Sequence, residues 1–380
     1  MPSSHLAVFV DEFASAGQVE IDPGKVLAAL CGLQDPRKRR GVRHRFAHLL
    51  VIMVCSVLAG ATSLVEMAEW AADTARDQLA TLGIGAPHAT TLARVLQLLD
   101  ADALDQLAGA WAQSLAPVAA IAIDGKEVRG AKNGGGARMH LLAGIDHTTG
   151  AVLAQANVSE KHNEITYFKP LLEGIKDLEG VVVSADALHT QREHAEYLHS
   201  RDAHYVLTVK ANQSKLHDQL LALPWKRVRA GHKTRETANG REIERTVKCV
   251  SLAAGINFPH AAQAAQVTRR SRPLGTRKWS TETVHIVTSL TPAHGKPELI
   301  GSLIRGHWGI ENGLHWRRDV TWREDSSQVR RGNAPRVMAS LRNIAITILR
   351  REGETNLAKA TRGARNYPHR ALKLAGLTTS

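Results

Sequence analysis

Cysteine is scarce in this sequence. The three cysteines, Cys31, Cys55 and Cys249, lie far apart, are odd in number and match no metal-ligand spacing. Their pattern argues against a structural zinc site and predicts a protein of the reducing cytoplasm.

Long apolar runs are also missing. The longest one, residues 46–61, is short for a membrane span and contains His48. Residues 1–25 lack a basic start followed by an apolar core, so no signal peptide is expected. We therefore predict that residues 46–61 form a buried helix in an all-helical N-terminal domain.

Acidic residues are outnumbered by basic ones. The 380 residues include 49 Lys and Arg against 36 Asp and Glu, which gives a formal charge of +13. Because 43% of the residues are hydrophobic, the chain can bury a sizeable core, and its length predicts two or three domains. The positive charge indicates a polyanionic partner and favours nucleic acid over a ribosomal or anionic-membrane surface.

The first part of the chain is predicted to comprise a tail at residues 1–20 and a helical domain at 21–115. Within that domain, residues 88–99 have an apolar period near 3.6 after a threonine start signal. Thr90, Thr91 and Arg94 would place the start of this helix against a phosphate, or they belong to an ordinary capped helix of a bundle. The basic run at 37–45 is predicted to contact phosphate.

Beyond residue 116 the pattern changes to strands that alternate with helices. Strands are predicted at 118–123, 139–146, 152–158, 181–185 and 204–210, and helices at 163–178 and 190–201. Three antiparallel strands followed by helix, strand, helix and strand is the order of a ribonuclease-H-like α/β core, a mixed five-stranded sheet flanked by helices. In that order the first and fourth strands lie side by side.

The stretch at about 225–290 is too long for a connecting loop. β-like segments occur within it at 241–250, 265–270 and 281–289. We therefore predict an inserted β-subdomain within a catalytic domain at 116–350, followed by a basic C-terminal tail at 351–380. Basic turns at 269–272 and 277–279, the second with Trp279, suit contact with a flipped base or a DNA backbone, or are solvated hairpin tips.

Two aspartates each follow an apolar strand. Asp124 closes the run at 118–123 and Asp186 closes the run at 181–185, so the strand order makes them neighbours although about sixty residues separate them. Burying an unpaired carboxylate is costly, so each one is expected to have a cation, a metal or a hydrogen-bond partner.

A third carboxylate, Glu311, lies in a predicted helix at 305–319. Successive spacings of three and four residues separate His307, Glu311, His315 and Arg318, so the four side chains share a face of the helix. Alone, this pattern would indicate a surface helix with a ladder of ion pairs. Together with the two aspartates it indicates a divalent metal site.

Five blocks of sequence together resemble the DDE transposases of bacterial insertion sequences, in the branch that includes the H-repeat-associated proteins. The blocks are AIDGK at 122–126, KHNEI at 161–165, SADALHTQ at 184–191, YVLTVKANQ at 205–213 and HWGIENGLHW at 307–316, continuing to Glu324 and Asp325. The resemblance covers about residues 25–350. It implies a ribonuclease-H-like catalytic domain with an inserted β-subdomain, in which Asp124, Asp186 and Glu311 form the catalytic and metal-binding triad.

Related transposases surround the glutamate with a Tyr, Arg and Lys signature, from which this chain departs. Ile304, His307 and Arg318 occupy those three places, and Arg305 is expected to supply the missing charge. Contacts with DNA or its phosphates are predicted for Lys126, Lys210, Arg305, His307, His315 and Arg318. For His307, His315 and Arg318 the alternative is a set of ion pairs on the helix surface.

The resemblance implies cleavage of double-stranded DNA at the element ends and transfer of the freed 3′ hydroxyl into target DNA. Two Mg²⁺ or Mn²⁺ ions about 4 Å apart would assist, with Asp124 bridging them and Asp186 and Glu311 each binding one. A homodimer is expected in the DNA complex. The alternatives are a ribonuclease-H-like nuclease without strand transfer and a decayed or domesticated transposase that only binds DNA.

Overall fold

The computed structural model describes residues 6–8, 11, 19–38, 40, 42–132, 138–158, 164–252 and 256–379. The side chains of residues 131, 132, 138, 310–312 and 379 lie outside this description. The predicted block at 161–165 therefore falls partly outside the described residues, and so does the side chain of Glu311.

Before residue 115 the described chain is largely helical. After strand β1 (Val19–Ile21) come the helices α1 (Val26–Leu30), α2 (Phe46–Leu58), α3 (Leu64–Glu69), α4 (Arg76–Thr81), α5 (Ala89–Leu98) and α6 (Ala101–Ser114), with a π-helical turn at Trp70–Thr74. All 13 residues of α2 are buried, as predicted for a helix that is apolar all round. Helix α5 is capped by the ring of His88, which accepts from the amide of Thr90, so the start signal lies two residues before the threonine.

Five strands form the centre of the sheet in the predicted order. They are β2 (Ala120–Lys132), β3 (Arg138–Asp146), β4 (Val152–Val158), β5 (Val182–Ala185) and β6 (His204–Val209). Strand β2 pairs antiparallel with β3 and parallel with β5, with Ile123 opposite Ala185. The first strand was predicted to end at residue 123, but β2 continues to Lys132 in its pairing with β3, so Asp124 lies inside the strand. Asp124 and Asp186 each follow the last paired residues of β2 and β5, and so lie next to each other.

Helices cover one face of this sheet. A 3-10 turn at Glu164–Tyr167 leads into α7 (Phe168–Glu173), and α8 (Arg192–Ser200) connects β5 to β6. Phe168, Leu172 and Leu198 are buried against this face. The result is an α/β architecture with a large mixed sheet flanked by helices.

The inserted strands do not form a sheet of their own. Helix α9 (Ser214–Leu221) is followed by β7 (His232–Ala238), β8 (Arg241–Ser251), β9 (Gln263–Pro273) and β10 (Ser280–Thr288). β10 pairs antiparallel with β6, and β9, β8 and β7 follow in that order, so the described strands make one nine-stranded sheet. The physical reason is that β6 would otherwise expose an unpaired edge, which β10 covers. Strand β7, whose sequence HKTRETA is polar, was not predicted.

A long helical segment lies across the other face of the sheet. It consists of α10 (Pro297–Ile310), a π-helical turn at Glu311–His315 and α11 (Trp316–Thr321). Ile300, Leu303 and Ile304 of α10 pack on buried apolar residues of the sheet. The π-helical turn was not predicted, and its i to i+5 hydrogen bonding shifts the faces of the helix beyond it.

The last part of the chain completes the helical layer. A 3-10 turn at Glu324–Ser326 precedes α12 (Ala334–Arg351), α13 (Leu357–Asn366), α14 (Pro368–Ala375) and β11 (Leu377–Thr379). Helices α12, α13 and α14 pack against α2, and β11 pairs antiparallel with β1. Residues after 351 were predicted to be a basic tail, but Leu357, Ala364 and Ala371 are buried at helical spacing while the basic side chains lie outside.

Candidate active site

The two aspartates predicted to be catalytic meet where the parallel pairing of β2 with β5 ends. Asp124 lies within β2, directly after the paired Ile123, and Asp186 directly follows β5. Oδ1 of Asp124 accepts from the amide of Gly125 at 2.9 Å. Oδ1 of Asp186 accepts from the amides of Leu188 at 3.0 Å and His189 at 3.4 Å, so Asp186 caps the short turn that follows β5. Both aspartates line one pocket of about 160 Å³, together with Ala187, Thr208, Lys210, Glu282, Val284, His307 and Trp308.

The imidazole of His307 faces this pocket from α10. Its Nδ1 lies 3.4 Å from Oγ of Ser184, which in turn lies 2.8 Å from Nε2 of His147. Burial lowers the pKa of His307 to about 4, although the nearby Asp186 carboxylate opposes the fall. Burial lowers the pKa of His147 as well. Both rings are therefore neutral near pH 7, and His307 contributes hydrogen bonds instead of charge.

His315, beyond the π-helical turn, reaches the other aspartate. Its Nδ1 lies 3.7 Å from Oδ2 of Asp124, and its Nε2 is buried with no hydrogen-bond partner among the described residues. Burial, assisted by the charges of Arg318 and Lys126, lowers its pKa to about 3. His315 is thus a neutral neighbour of Asp124 near pH 7.

Glu311 lies between these two histidines along the helical segment, where it opens the π-helical turn. His307 lines the pocket of both aspartates, and His315 lies beside Asp124. Because its side chain lies outside the described residues, the role of Glu311 stays a prediction.

Lys126 is directed into the protein. Its side chain is 8% exposed, and its Nζ lies 2.7 Å from Oδ2 of Asp319 and 3.7 Å from Oδ1 of Asp325. Asp319 belongs to α11 and Asp325 to the turn after it, so the ion pairs of Lys126 connect α11 to β2. The predicted contact between Lys126 and DNA is contradicted by this burial.

Arg318 is also a buried residue. Its Nε and Nη2 donate to the two carboxylate oxygens of Glu324 at 2.8 and 2.9 Å, and Nη1 of Arg342 donates to Oε1 of Glu324 at 2.9 Å. The side chains of Arg318 and Glu324 are 1% and 0% exposed. The prediction of a phosphate contact is therefore contradicted for Arg318, as is the alternative of an ion pair on the helix surface.

The other two predicted basic contacts are accessible. Lys210 is exposed and lines the pocket of the two aspartates. Arg305 is 56% exposed and pairs with Glu236, whose Oε2 lies 3.0 Å from its Nη2. A further basic group lies at the connection between β9 and β10. There the guanidinium groups of Arg270 and Arg272 lie 4.8 and 4.6 Å from the ring centre of Trp279.

A histidine and glutamate cluster on the opposite face of β2 was missed from the sequence. Nε2 of His140 lies 2.6 Å from Oε1 of Glu164, and Nε2 of His189 lies 3.5 Å from Oε2 of the same carboxylate. Glu164 and His189 belong to the sequence blocks at 161–165 and 184–191, but neither was predicted to be a site residue. His140 had no signal of its own, because its place is decided by the pairing of β3 with β2.

No group of three or more His, Cys, Asp or Glu side chains is arranged to hold a metal ion within the described residues, which exclude the side chain of Glu311. Among the described helices, none has the length and apolar character needed to cross a membrane.

The sequence matches two family models. The model described as Transposase DDE domain matches residues 119–348, the part of the chain that contains the whole mixed sheet and the helical segment across it. This chain belongs to the family of DDE transposases. A second model, described as DDE_Tnp_1-associated, matches residues 27–112, which form most of the helical layer before the sheet of this transposase.

Similar proteins include several transposase relatives of comparable length. This transposase is 29% identical over 334 residues to the putative transposase YncI of Escherichia coli O157:H7, across 84% of this chain and 85% of that protein. It is 28% identical over 378 residues to the H repeat-associated putative transposase YhhI of Escherichia coli K12, across 93% of this chain and 99% of that protein. The branch predicted from the sequence blocks is thereby confirmed.

Among solved structures, the cryo-EM structure of a piggyBac transposase synaptic complex with hairpin DNA resembles this chain with a TM-score of 0.45 and 12% identity. The match covers 98% of this chain and 80% of that chain.

Proposed function

We propose that this transposase cleaves DNA strands at the ends of its element and transfers the freed 3′ hydroxyl into target DNA. The observation that carries the proposal is that Asp124 and Asp186 meet where the pairing of β2 with β5 ends, in one pocket beside the helical segment that contains Glu311. The strand order β4, β3, β2, β5, β6 supports a ribonuclease-H-like catalytic core.

The donor set fits Mg²⁺ or Mn²⁺. Asp124 and Asp186 are hard oxygen ligands, and Glu311 would add a third from the adjacent helix. The neutral ring of His315 next to Asp124 adds no positive charge that would compete with a cation. A pair of divalent ions, when bound, would supply activation of the attacking hydroxyl and stabilisation of charge on the leaving oxygen.

Other residues of the pocket would hold the DNA strand. Lys210 is exposed and lines the pocket, and its ammonium group would pair with a phosphate next to the cleavage point. His307 is uncharged and would position a phosphate or the attacking hydroxyl through a hydrogen bond. In this chain His307 occupies the place of the signature Arg and is neutral, and Arg318 occupies the place of the signature Lys and is buried. The phosphate contacts are therefore assigned to other residues than in related transposases.

Double-stranded DNA is the proposed partner. The formal charge of +13 favours a long polyanion, and Trp279 with the neighbouring Arg270 and Arg272 offers an aromatic and basic contact for DNA. Because two element ends must be processed together, we expect two copies of the chain in the DNA complex.

The test is a cleavage and joining assay on linear DNA that carries the element's own ends, with Mg²⁺ or Mn²⁺. Asp124→Ala, Asp186→Ala and Glu311→Ala are expected to bind DNA like the wild type but to neither nick nor join it. Glu298→Gln, which removes an exposed carboxylate from the same helix as the pocket-lining His307, is the matched control and should keep full activity.

Other results would redirect the proposal. Cleavage without joining would indicate a nuclease, and DNA binding without cleavage by the wild type would indicate a transposase that has lost its activity. Activity that survives removal of either aspartate would overturn the assignment of this pocket.

A further inference from the structure

The cluster of His140, Glu164 and His189 connects three separate pieces of the chain. His140 lies on β3, Glu164 begins the 3-10 turn before α7, and His189 ends the turn that Asp186 caps. The carboxylate of Glu164 is 20% exposed and lies between the two rings, 2.6 Å from one and 3.5 Å from the other. It therefore links β3 to the turn of Asp186.

The cluster lies directly behind Asp124. Neighbouring residues of a strand face opposite sides, so Gly125 faces the cluster while Asp124 faces the pocket. A Cβ atom on Gly125 would lie 2.5 Å from both Oε2 of Glu164 and Nε2 of His140. Only glycine leaves room for the carboxylate and the ring at this position, so the cluster touches the backbone that carries Asp124.

His189 connects the cluster to Asp186. Its side chain is 1% exposed and packs near Phe168 and His194, with ring centres 5.3 and 5.6 Å away. Its amide also contacts Oδ1 of Asp186 at 3.4 Å. The residue thus joins the Glu164 carboxylate to the turn that orients Asp186.

From these contacts we infer that Glu164 is a positioning residue that fixes the spacing of Asp124 and Asp186 for a divalent cation, acting through His140 and His189. The inference rests on the proposed function, since it gives the two aspartates a common ligand. Glu164 itself points away from the pocket and does not touch the reacting atoms.

The ionised form of Glu164 suits this task. Burial raises the pKa of its carboxyl group, but the nearby rings of His140 and His189 outweigh burial and lower the pKa to about 2. The same contact raises the pKa of His140. The carboxylate is consequently charged throughout the working pH range and attracts both rings.

The test measures Mn²⁺ binding to the DNA-free, full-length protein by electron paramagnetic resonance, which does not depend on turnover. Glu164→Gln is expected to weaken Mn²⁺ binding by about 10-fold, in the range seen when an outer-shell partner of a metal site is lost. Gly125→Ala, which forces the cluster away from β2, is expected to have a similar effect. Strand cleavage should show a lower kcat with little change in the KM for DNA.

Two further variants separate positioning from general stability. Asp105→Asn removes a buried carboxylate that pairs with Arg336 and Ser340 in the helical layer, so it should lower stability without changing Mn²⁺ affinity. His140→Gln keeps an N–H donor toward Glu164 and should bind Mn²⁺ nearly like the wild type, whereas His140→Ala should not. Should Glu164→Gln fail to fold, the comparison of these two His140 variants decides the question.

The possible failures are distinguishable. Mn²⁺ affinity that is unchanged in Glu164→Gln, or equally unchanged in both His140 variants, while Asp186→Asn abolishes binding, overturns the positioning role alone. Mn²⁺ binding that does not depend on Asp124 or Asp186 overturns the metal site and the proposed function with it.

Discussion

The guanidinium of Arg318 and the carboxylate of Glu324 form a buried bidentate ion pair, with N to O distances of 2.8 and 2.9 Å. Arg342 contacts the same carboxylate from α12. The carboxylate of Glu324 therefore connects α11 to α12 through its two arginine partners.

Replacement of Arg318 is expected to lower the stability of the protein and not to remove a contact with DNA. Arg318→Ala should lower the free energy of unfolding by about 3 kcal/mol, because it leaves the buried Glu324 with only Arg342. Urea unfolding followed by circular dichroism measures this change. The exposed Arg305→Ala is the control and should cost less than about 1 kcal/mol. A loss of DNA affinity in Arg318→Ala at unchanged stability would contradict the structural role.

Glu324 makes stability depend on acid pH. Burial alone would raise its pKa, but Arg318 and Arg342 outweigh burial and lower it from 4.5 to about 2. A lowered folded-state pKa means that the stabilisation is complete above pH 4.5 and is lost as the pH falls toward 2, by about 3 kcal/mol in total.

The measurement is the free energy of unfolding of Glu324→Gln between pH 6 and pH 2. The variant should be less stable at pH 6, because two buried arginines lose their partner, and its stability should change less between about pH 4.5 and 2. The exposed Glu298→Gln should follow the wild-type curve, and a Glu324→Gln curve parallel to the wild type would refute the prediction.

Lys210 and Lys126 are expected to differ as DNA ligands although each lies two residues or fewer from a residue of the pocket that contains the two aspartates. Lys210→Ala should reduce the slope of log affinity against log salt concentration by about 1, as expected when one phosphate contact is lost. Lys126→Ala should leave this slope unchanged and lower stability instead, because Asp319 and Asp325 lose a buried partner. Fluorescence anisotropy of labelled end DNA at several salt concentrations compares them. The reverse pattern would mean that Lys126 reaches DNA.

Two glycines of α10 offer a matched pair. A Cβ on Gly306 would lie 2.3 Å from Nδ1 of His147, whose ring is held by Ser184, so Gly306→Ala should push the helix off the sheet and cost about 1–3 kcal/mol. Gly309 has nothing within 4 Å of its Cβ position, so Gly309→Ala should stabilise the helix by up to about 1 kcal/mol. Thermal unfolding and strand cleavage test both. Equal effects would mean that the contact with His147 does not fix the helix.

Much of the site follows from the sequence because strand order follows from local patterns. The apolar runs before Asp124 and Asp186 define two strands, and the order of elements makes those strands neighbours, which the pairing of Ile123 with Ala185 confirms. The segments at 139–146 and 152–158 were likewise predicted within a residue of β3 and β4.

Other features depend on contacts that no local pattern encodes. Helical spacing placed Arg318 on the same exposed face as His307 and His315. In the structure it follows the π-helical turn and is buried with Glu324 and the distant Arg342. His140 meets Glu164 only because β3 pairs with β2. The C-terminal helices were not predicted because the basic composition of residues 351–380 indicated a tail, although the buried Leu357 and Ala364 are at helical spacing.

The burial of α2 affects the order in which the chain acquires its structure. All 13 of its residues are covered, and part of the cover comes from α12, α13 and α14, which are synthesised after the whole sheet. A nascent chain must therefore carry an apolar helix without its final partners until the last of these helices has left the ribosome. During that interval the helix is a site for aggregation or chaperone binding, and the helical layer closes only after synthesis of the nine-stranded sheet is complete.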